Sequence, residues 1–204
     1  MPGAEPVAEP LRRRAQVQIE KTRRQVKELL KEGIIEESNF PWAAAYVLAK
    51  KKNGEFRLCI DFGKLNLVTK KVVYPLPNID ECLETLSGKT YFSQLDSKSG
   101  FWQIAMEKSS KELTAFRTED GLFQFRRMPF GLTNAPATFQ KLINTVLAGL
   151  EGMNLQVFIC IATRTWKEHL TMLQLTFEAV IKANLKIKAD KWQHDDKEGR
   201  ACTS

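Results

Sequence analysis

A single aspartate ends a run of strand-forming residues near the middle of the chain. Residues 91–104 read YFSQLDSKSGFWQI, and the aromatic and apolar character of the first six predicts a strand that ends at Asp96. A strand end holds its side chain rigidly at the edge of a sheet, where a metal ion can be held. Considered alone, Asp96 is more typical of a strand-end cap or a turn residue than of a metal ligand.

A second stretch combines small residues with a bend marked by proline and glycine. Residues 128–140 read MPFGLTNAPATFQ. Gly131 permits a close backbone approach, and the small residues at 133–138 leave room for a ligand beside the start of a helix. In isolation the same stretch is typical of a bent loop that caps a helix.

Together these stretches resemble the polymerase motifs of reverse transcriptases, most closely those of gypsy-like LTR retrotransposons. The resemblance runs from about residue 29 to residue 191. It is carried in order by GIIEESNFPWAAAYVLAKKKNGEFRLCIDFGKLN, YPLPNID, YFSQLDSKSGFWQIAM, TAFRTEDGLFQFRRMPFGLTNAPATFQ and TWKEHL.

The resemblance implies two-metal phosphoryl transfer, in which a primer hydroxyl attacks the α-phosphate of a deoxynucleoside triphosphate. Asp96 would be the first catalytic carboxylate and a ligand of the two expected Mg²⁺ ions, with the backbone carbonyl of Ser97 beside it. Phe101 would be a steric gate under the sugar that rejects a 2′-hydroxyl. Arg57 and a neighbouring lysine, first of all Lys51, would hold the triphosphate.

The remaining implied contacts concern the nucleotide pocket and the template–primer. Phe130 and Gly131 would line the pocket, while Gln140 and the basic hairpin residues Lys50 and Lys52 would lie near an RNA or DNA template–primer. The plain alternatives are core packing for Phe101 and Phe130 and surface solvation for the lysines. Further partners implied by the family are the thumb, RNase H and integrase parts of a Pol polyprotein.

One family motif is missing from this chain. The family's third motif is a β-hairpin with a Tyr-x-Asp-Asp tip, which supplies further catalytic carboxylates before the TWKEHL helix. The corresponding residues 155–166 read LQVFICIATRTW and contain no acidic residue, as if about three residues were lost between Ile159 and Cys160. The nearest paired aspartates, Asp195 and Asp196, lie beyond the helix in a polar tail.

This loss predicts a copy with little or no polymerase activity, because one carboxylate cannot hold two divalent cations against a triphosphate. An odd-numbered loss also moves downstream side chains to the opposite face of a sheet, so residues 157–162 could instead run as one buried strand. A smaller departure is Gly63, where the family often has a basic residue.

Charge is concentrated in one segment of an otherwise ordinary globular composition. The 204 residues are 43% apolar and 27% charged with a net charge of +7. Residues 41–72 hold seven Lys or Arg against Glu55 and Asp61, a local net charge of +5. Such a field suits a polyanion, although a solvated lysine-rich hairpin is the plain alternative.

The sequence also argues against several other classes of protein. No apolar run approaches the length of a membrane span, and the N-terminus lacks the apolar core of a secretory signal. Four cysteines without Cys-x-x-Cys spacing make a zinc site improbable. We therefore expect an intracellular protein, cytoplasmic or nuclear, with no membrane partner.

Hydrophobic spacing and turn residues predict the elements that must position these side chains. The predicted helices are 12–32, 79–86, 134–150 and 166–183. The predicted strands are 45–51, 56–61, 91–96, 113–118, 122–126, 155–163 and 185–189. An Asn53-Gly54 turn joins the first two strands, and this mixture predicts an α+β chain.

The resemblance implies the fingers and palm of a right-hand polymerase without a thumb. The expected segments are a flexible leader (1–11), an N-terminal helix (12–33), the reverse transcriptase region (34–190) and a polar tail (191–204). Fingers would comprise about 34–86 and 114–130, and palm about 87–113 and 131–190. The expected function is that of an RNA-directed DNA polymerase domain of a retroelement, inactive in this copy. The alternative is a non-catalytic nucleic-acid-binding remnant that uses the basic 41–72 hairpin.

Overall fold

The structure is a computed structural model that describes residues 6, 8–50, 54–75, 84, 86–150, 153–155 and 158–195. The chain forms two compact units, each assembled from two segments. Unit 1 comprises residues 1–71 and 104–135, and unit 2 comprises residues 72–103 and 136–204. Helices and antiparallel sheets occur in one chain, which confirms the predicted α+β class.

The described helices and strands follow one another in a mixed order. In chain order they are α1 (Gln16–Lys31), β1 (Ile35–Glu37), β2 (Ala45–Lys50), β3 (Phe56–Asp61), α2 (Gly63–Val68), β4 (Tyr91–Ser97), α3 (Lys108–Lys111), β5 (Phe116–Thr118), β6 (Gly121–Phe125), α4 (Ala135–Val146), β7 (Met153–Leu155), β8 (Phe158–Thr163), α5 (Trp166–Lys182) and β9 (Ile187–Asp195). Within the described residues, no helix combines the length and apolar character needed to cross a bilayer. Most of the predicted helix 79–86 lies outside the described residues.

Unit 1 contains two small antiparallel sheets and the helix α1. Strands β2 and β3 form the predicted hairpin, with Ala45 opposite Asp61 and Lys50 opposite Phe56. Strands β1, β6 and β5 form the second sheet in that order. Its buried aromatic residues build the core, since the Phe116 ring lies 5.9 Å from that of Phe123 and 5.4 Å from that of Phe125.

Helix α1 begins four residues later than predicted, because the preceding residues are engaged elsewhere in unit 1. The backbone N–H of Glu9 donates to the carbonyl of Ala43 at 2.8 Å. The Arg14 guanidinium lies 4.0 Å above the Tyr46 ring and also donates to the Tyr46 carbonyl. The helix ends at Lys31, one residue before the predicted end, and Gly33 follows with a left-handed φ of 67° that residues with side chains rarely tolerate.

The predicted strand 113–118 is shorter in the structure. Residues 112–114 form a 3-10 turn, and strand β5 begins only at Phe116. The Thr114 hydroxyl donates to the Lys111 carbonyl at 2.6 Å and accepts from the Phe125 N–H at 3.0 Å. This side chain therefore makes the hydrogen bonds that a strand ladder would otherwise supply.

Unit 2 is built on a four-stranded antiparallel sheet in the order β7, β8, β4, β9. The prediction of one strand over 155–163 was wrong, because Leu155 of β7 pairs with Phe158 of β8 and the chain reverses between them. Residues 156–157 lie outside the described residues. Ile159 and Ile161 are buried, while the alternating Cys160 and Ala162 are half-buried. Apolar residues occupy alternate positions in either frame of this segment, so a core-facing set survives a change of register.

Strand β9 is longer than the predicted strand 185–189. It continues through residues of the predicted polar tail to Asp195, which lies opposite Phe92 of β4. Backbone hydrogen bonds along the open edge of β4 stabilise this pairing whatever the polarity of the side chains. Asp195 thus lies in a strand, in contrast to the loose tail that its sequence context predicts.

Helix α5 starts at a reciprocal cap. The Thr165 hydroxyl accepts from the Glu168 N–H at 3.3 Å, and the Glu168 carboxylate accepts from the Thr165 N–H at 3.2 Å. This capping box is the pattern that Thr-x-x-Glu predicts. It fixes the start of the helix one residue beyond Thr165, as predicted.

Candidate active site

Asp96 lies near the end of the central strand β4, between β8 and β9. Its Cα partners are Phe158 on β8 and Lys188 on β9. The residue is buried, with 7% of its surface exposed. A register irregularity between Gln94 and Asp96 marks this point on the β9 side. The strand end therefore positions Asp96 as predicted, but among residues that the sequence analysis did not consider.

A lysine lies against the Asp96 carboxylate. The Lys188 Nζ is 3.6 Å from Asp96 Oδ2, and the two side chains are 32% and 10% exposed. Residues directly opposite each other on paired strands project from the same face of a sheet. The ammonium group therefore occupies space beside the one carboxylate that the family resemblance assigns to metal binding.

Among the residues that the structure describes, the donor set around Asp96 does not fit two divalent ions. Mg²⁺ requires an octahedral set of oxygen ligands, usually including more than one carboxylate. Across the described part of the chain, no group of three or more His, Cys, Asp or Glu side chains is placed to hold a metal. The position opposite Asp96 on β8 carries phenylalanine, which offers no oxygen. Asp195 pairs with Phe92, about 13 Å along β4 from Asp96 at the usual rise per residue.

The turn after β4 is fixed to the start of β9 by Gln103. The Gln103 Nε2 donates to the carbonyls of Lys98 and Lys186 at 2.8 and 2.9 Å, and its Oε1 accepts from the Lys186 N–H at 2.7 Å. The Lys98 N–H also donates to the Lys186 carbonyl at 3.0 Å. These four hydrogen bonds set the register that places Lys188 opposite Asp96.

Phe101 follows on the same turn and packs on α4. Its ring lies 5.7 Å from that of Phe139 in an edge-to-face arrangement at 74°. Phe101 is half-buried. An ideal Cβ at Gly100 would lie 3.0 Å from Phe139 Cζ, so glycine allows this close approach. The contact with Phe139 buries part of the Phe101 ring. The role of Phe101 as a sugar gate stays a prediction.

Gln140 lies on α4 beside Phe139 and is 1% exposed. Its Nε2 donates to the Asn144 Oδ1 at 2.9 Å, and the Asn144 Nδ2 donates to the Tyr74 hydroxyl at 2.9 Å. These hydrogen bonds connect α4 to Tyr74 within unit 2. The predicted contact of Gln140 with the template stays a prediction.

An imidazole connects three elements of unit 2. His169 of α5 is fully buried, with its Nε2 2.8 Å from the Ser93 hydroxyl of β4 and its Nδ1 3.0 Å from the Thr163 hydroxyl of β8. The Thr163 hydroxyl donates to the Thr165 carbonyl at 3.2 Å, so it accepts from an Nδ1–H. This arrangement directs the Nδ1 proton toward Thr163 and holds β4 three residues before Asp96.

The other predicted site residues belong to unit 1. Lys50 and Arg57 are exposed at the described end of the β2–β3 hairpin, while Lys51 and Lys52 lie outside the described residues. Helix α1 supports this hairpin through Gln25, whose Oε1 accepts from the Leu58 N–H at 2.8 Å and whose Nε2 donates to the Phe56 carbonyl at 3.2 Å.

The loop at Phe130 and Gly131 is held by a residue that the sequence analysis missed. The Asn66 Nδ2 donates to the Gly131 carbonyl at 2.8 Å, and its Oδ1 accepts from the Thr133 N–H at 2.9 Å. Gly131 has a φ of 93°, in the left-handed region that favours glycine. Phe130 is left 49% exposed by this arrangement.

The predicted site residues are thus divided between the units. Asp96, Ser97, Phe101 and Gln140 lie in unit 2, and the others described lie in unit 1. Sequence reasoning missed the supporting residues Lys188, Gln103 and Asn66. Gln103 belongs to the same sequence motif as Asp96, so the motif could have identified it as a candidate. Lys188 is placed by the register of β9 against β4, and no local sequence pattern predicts that register.

Comparisons with known proteins agree on one family. The sequence model of the family "Reverse transcriptase (RNA-dependent DNA polymerase)" matches residues 49–199. The Retrovirus-related Pol polyprotein from transposon 297 of Drosophila melanogaster is 40% identical over 197 residues, which cover 93% of this chain and 18% of that protein. The Transposon Tf2-3 polyprotein of Schizosaccharomyces pombe is 34% identical over 165 residues, which cover 79% of this chain and 12% of that protein.

Solved structures share the fold. The foamy viral protease-reverse transcriptase in complex with an RNA/DNA hybrid matches with a TM-score of 0.86 and 21% identity, over 99% of this chain and 29% of that chain. The foamy viral protease-reverse transcriptase dRH in complex with double-stranded DNA matches with a TM-score of 0.84 and 22% identity, over 98% of this chain and 38% of that chain. The chain spans less than a fifth of the length of the curated relatives described here. Its sequence and fold together place the chain in the reverse transcriptase (RNA-dependent DNA polymerase) family.

Proposed function

We propose that this chain is the fingers-and-palm portion of the reverse transcriptase of a gypsy-like LTR retroelement, in a copy that binds a template–primer without extending it. Unit 1 corresponds to the fingers and unit 2 to the palm. The relatives are Pol polyproteins, and two matching foamy viral structures contain an RNA/DNA hybrid and double-stranded DNA. The proposed partners within a Pol polyprotein are a thumb, an RNase H part and an integrase. The proposed small-molecule ligands are deoxynucleoside triphosphates, and the proposed setting is intracellular.

The residues around Asp96 are the observation that supports the proposed lack of polymerase activity. In this family two Mg²⁺ ions would stabilise the attacking and leaving oxygens of nucleotidyl transfer. Here Phe158 and Lys188 flank Asp96 on the two neighbouring strands, and the ammonium of Lys188 lies 3.6 Å from the carboxylate. The described residues therefore supply neither the second carboxylate nor the negative field that two cations require.

Nucleic-acid binding needs none of these carboxylates. Exposed cationic side chains of unit 1, among them Lys50, Arg57, Lys70 and Lys71, can neutralise phosphates. Lys64 contributes less, because its Nζ lies 3.2 Å from the Glu9 carboxylate. Phosphate contacts position a duplex without reading its sequence, so the expected binding depends on salt and is indifferent to sequence.

The test measures binding and extension on the same template–primer. Fluorescence anisotropy should show salt-dependent binding with a preference for a recessed primer end over a blunt duplex of equal length. Primer extension on a poly-A template should be absent with either Mg²⁺ or Mn²⁺. Extension that disappears in Asp96→Asn would show that the chain is an active polymerase.

The alternative function is a non-catalytic nucleic-acid-binding remnant, favoured by the net charge of +5 in residues 41–72. The binding arm of the same experiment separates the two. Equal affinity for recessed and blunt ends favours the remnant, since a surface that contacts only phosphates does not recognise a primer terminus.

A further inference from the structure

We propose that Lys188 is a built-in counter-cation of Asp96, which takes the place of a divalent metal ion and keeps such ions out of this position. The inference rests on the proposed function in one respect, namely that Asp96 descends from a metal-binding carboxylate. It assigns to Lys188 a role that the family motifs do not predict.

Burial makes a counter-cation necessary. The Asp96 side chain is only 10% exposed, and an ionised carboxylate that is mostly removed from water requires a charged or hydrogen-bonding partner. A divalent ion is one such partner, and an ammonium group is another. The Lys188 Nζ, at 3.6 Å from Oδ2, meets this requirement from within the chain.

The lysine is held in place by the backbone. Lys188 lies within β9, directly opposite Asp96, and not on a loop that could swing away. Two residues earlier, Gln103 fixes Lys186 through its carbonyl at 2.9 Å and its N–H at 2.7 Å. The pairing of Ser97 with Ile187 continues this register. Displacing the ammonium therefore requires a change of rotamer within a paired strand.

Charge makes the two cations mutually exclusive. A divalent ion bound to Asp96 would lie a few ångströms from the Lys188 ammonium, where like charges repel strongly in a partly buried setting. A metal ion at Asp96 would also lack a second carboxylate ligand, since neither paired position on β8 or β9 carries one, so any site there is weak. Removal of the lysine charge should therefore create a weak metal site where none exists.

The experiment measures Mn²⁺ binding to the whole chain without nucleic acid, by the loss of the free Mn²⁺ signal in electron paramagnetic resonance. The unmodified chain should bind no more Mn²⁺ than Asp96→Asn does. Lys188→Met should bind one Mn²⁺ ion at least about tenfold more tightly than the unmodified chain. The double variant Asp96→Asn with Lys188→Met should lose that ion.

Lys186→Met is the matched control, because it removes an exposed charge two residues away and leaves the backbone hydrogen bonds of Lys186 in place. It should behave like the unmodified chain. If Lys188→Met fails to fold, Lys188→Gln keeps a hydrogen-bond donor for Asp96 without the charge. In addition, the melting temperature of the unmodified chain should shift with Mn²⁺ no more than that of Asp96→Asn.

Two results would overturn the inference. One is Mn²⁺ binding by the unmodified chain that Asp96→Asn abolishes, and the other is Lys188→Met or Lys188→Gln that folds without gaining a site. Neither result depends on template–primer binding. A chain that fails to bind nucleic acid would instead overturn the proposed function and leave the Mn²⁺ result unaffected.

Discussion

The imidazole of His169 shows how one side chain can hold several elements together. Both ring nitrogens meet hydroxyl groups, Ser93 at 2.8 Å and Thr163 at 3.0 Å, in a fully buried position. Tyr91 and Trp166 pack around the ring, with centroids 6.2 and 6.0 Å away. The same residue thus links α5 to β4, which carries Asp96, and to the neighbouring strand β8.

Replacing His169 with leucine should destabilise the chain by about 2–3 kcal/mol, because the Ser93 and Thr163 hydroxyls lose a partner in a site closed to water. The measurement is urea denaturation followed by circular dichroism. Gln174→Leu on the exposed face of α5 is the control and should change the free energy of unfolding by less than about 0.5 kcal/mol. Equal effects of the two changes would show that the imidazole contacts contribute nothing specific.

At the scale of elements, the β2–β3 hairpin carries exposed cationic side chains and is held by helix α1. Gln25 of α1 bonds both to the Phe56 carbonyl and to the Leu58 N–H, and the Lys21 Nζ lies 4.4 Å above the Phe56 ring. The hairpin is therefore anchored at β3. Its cations can act together on a phosphate backbone because the strands that carry them are fixed to the helix.

Changing Lys50, Lys51 and Lys52 together to alanine should weaken template–primer binding and flatten its dependence on salt. Each phosphate that the variant no longer neutralises reduces the slope of log affinity against log salt by about 0.7 to 0.9. The triple change of Lys141, Lys167 and Lys182, three exposed lysines of unit 2, removes the same net charge and serves as control. If the hairpin is only a solvated surface, both triple variants will bind alike.

Local signals account for the elements that the sequence predicted well. The alternating residues on either side of the Asn-Gly pair predict the β2–β3 hairpin, whose strands the structure confirms, while Asn53 itself lies outside the described residues. Thr165 with Glu168 specifies the start of α5. The position of Asp96 at a strand end follows from the same kind of signal. These features depend on residues within a few positions of one another.

Non-local pairing explains what the sequence could not predict. Only Gln156 and Val157 separate the paired residues Leu155 and Phe158, so no glycine or proline in the sequence marks the boundary between β7 and β8. The extension of β9 to Asp195 depends on an open edge of β4, and so does the contact between Lys188 and Asp96. Such contacts follow from the register of strands far apart in sequence, which periodicity does not encode.

At the scale of the whole molecule, two carboxylates of unit 1 link stability to pH. The pKa of Glu36 lies below its usual value, mainly because Gln124 donates to it, with Lys111 adding a hydrogen bond and positive charge. The pKa of Asp120 is also lowered, first by its hydrogen bonds from Arg23. The Arg23 Nη2 and Nε donate to the two Asp120 oxygens at 2.7 and 2.9 Å.

Both groups should contribute stability that is lost in acid. A lowered pKa in the folded state means that the unfolded chain takes up protons first, so the contribution is present above about pH 4 and disappears as pH falls through the lowered values. Glu36→Gln combined with Asp120→Asn should flatten the decline of unfolding free energy between about pH 5 and 3, by about 1 kcal/mol in total for these partly exposed pairs. Thermal denaturation across that range, with the exposed Glu107→Gln as control, measures it. An unchanged pH dependence in the double variant would contradict this assignment.

The central position of β4 in the sheet of unit 2 also governs when that sheet can form during synthesis. At Asp96, the partner residues on β8 and β9 lie 62 and 92 positions further along the chain. The intervening residues 104–135 belong to unit 1. A nascent chain therefore carries β4 with both edges unpaired until β8 has left the ribosome, and with one edge unpaired until β9 has followed. Pairing over such separations is slow, and unpaired strand edges attract other chains, so this strand is where a chaperone would have most to protect.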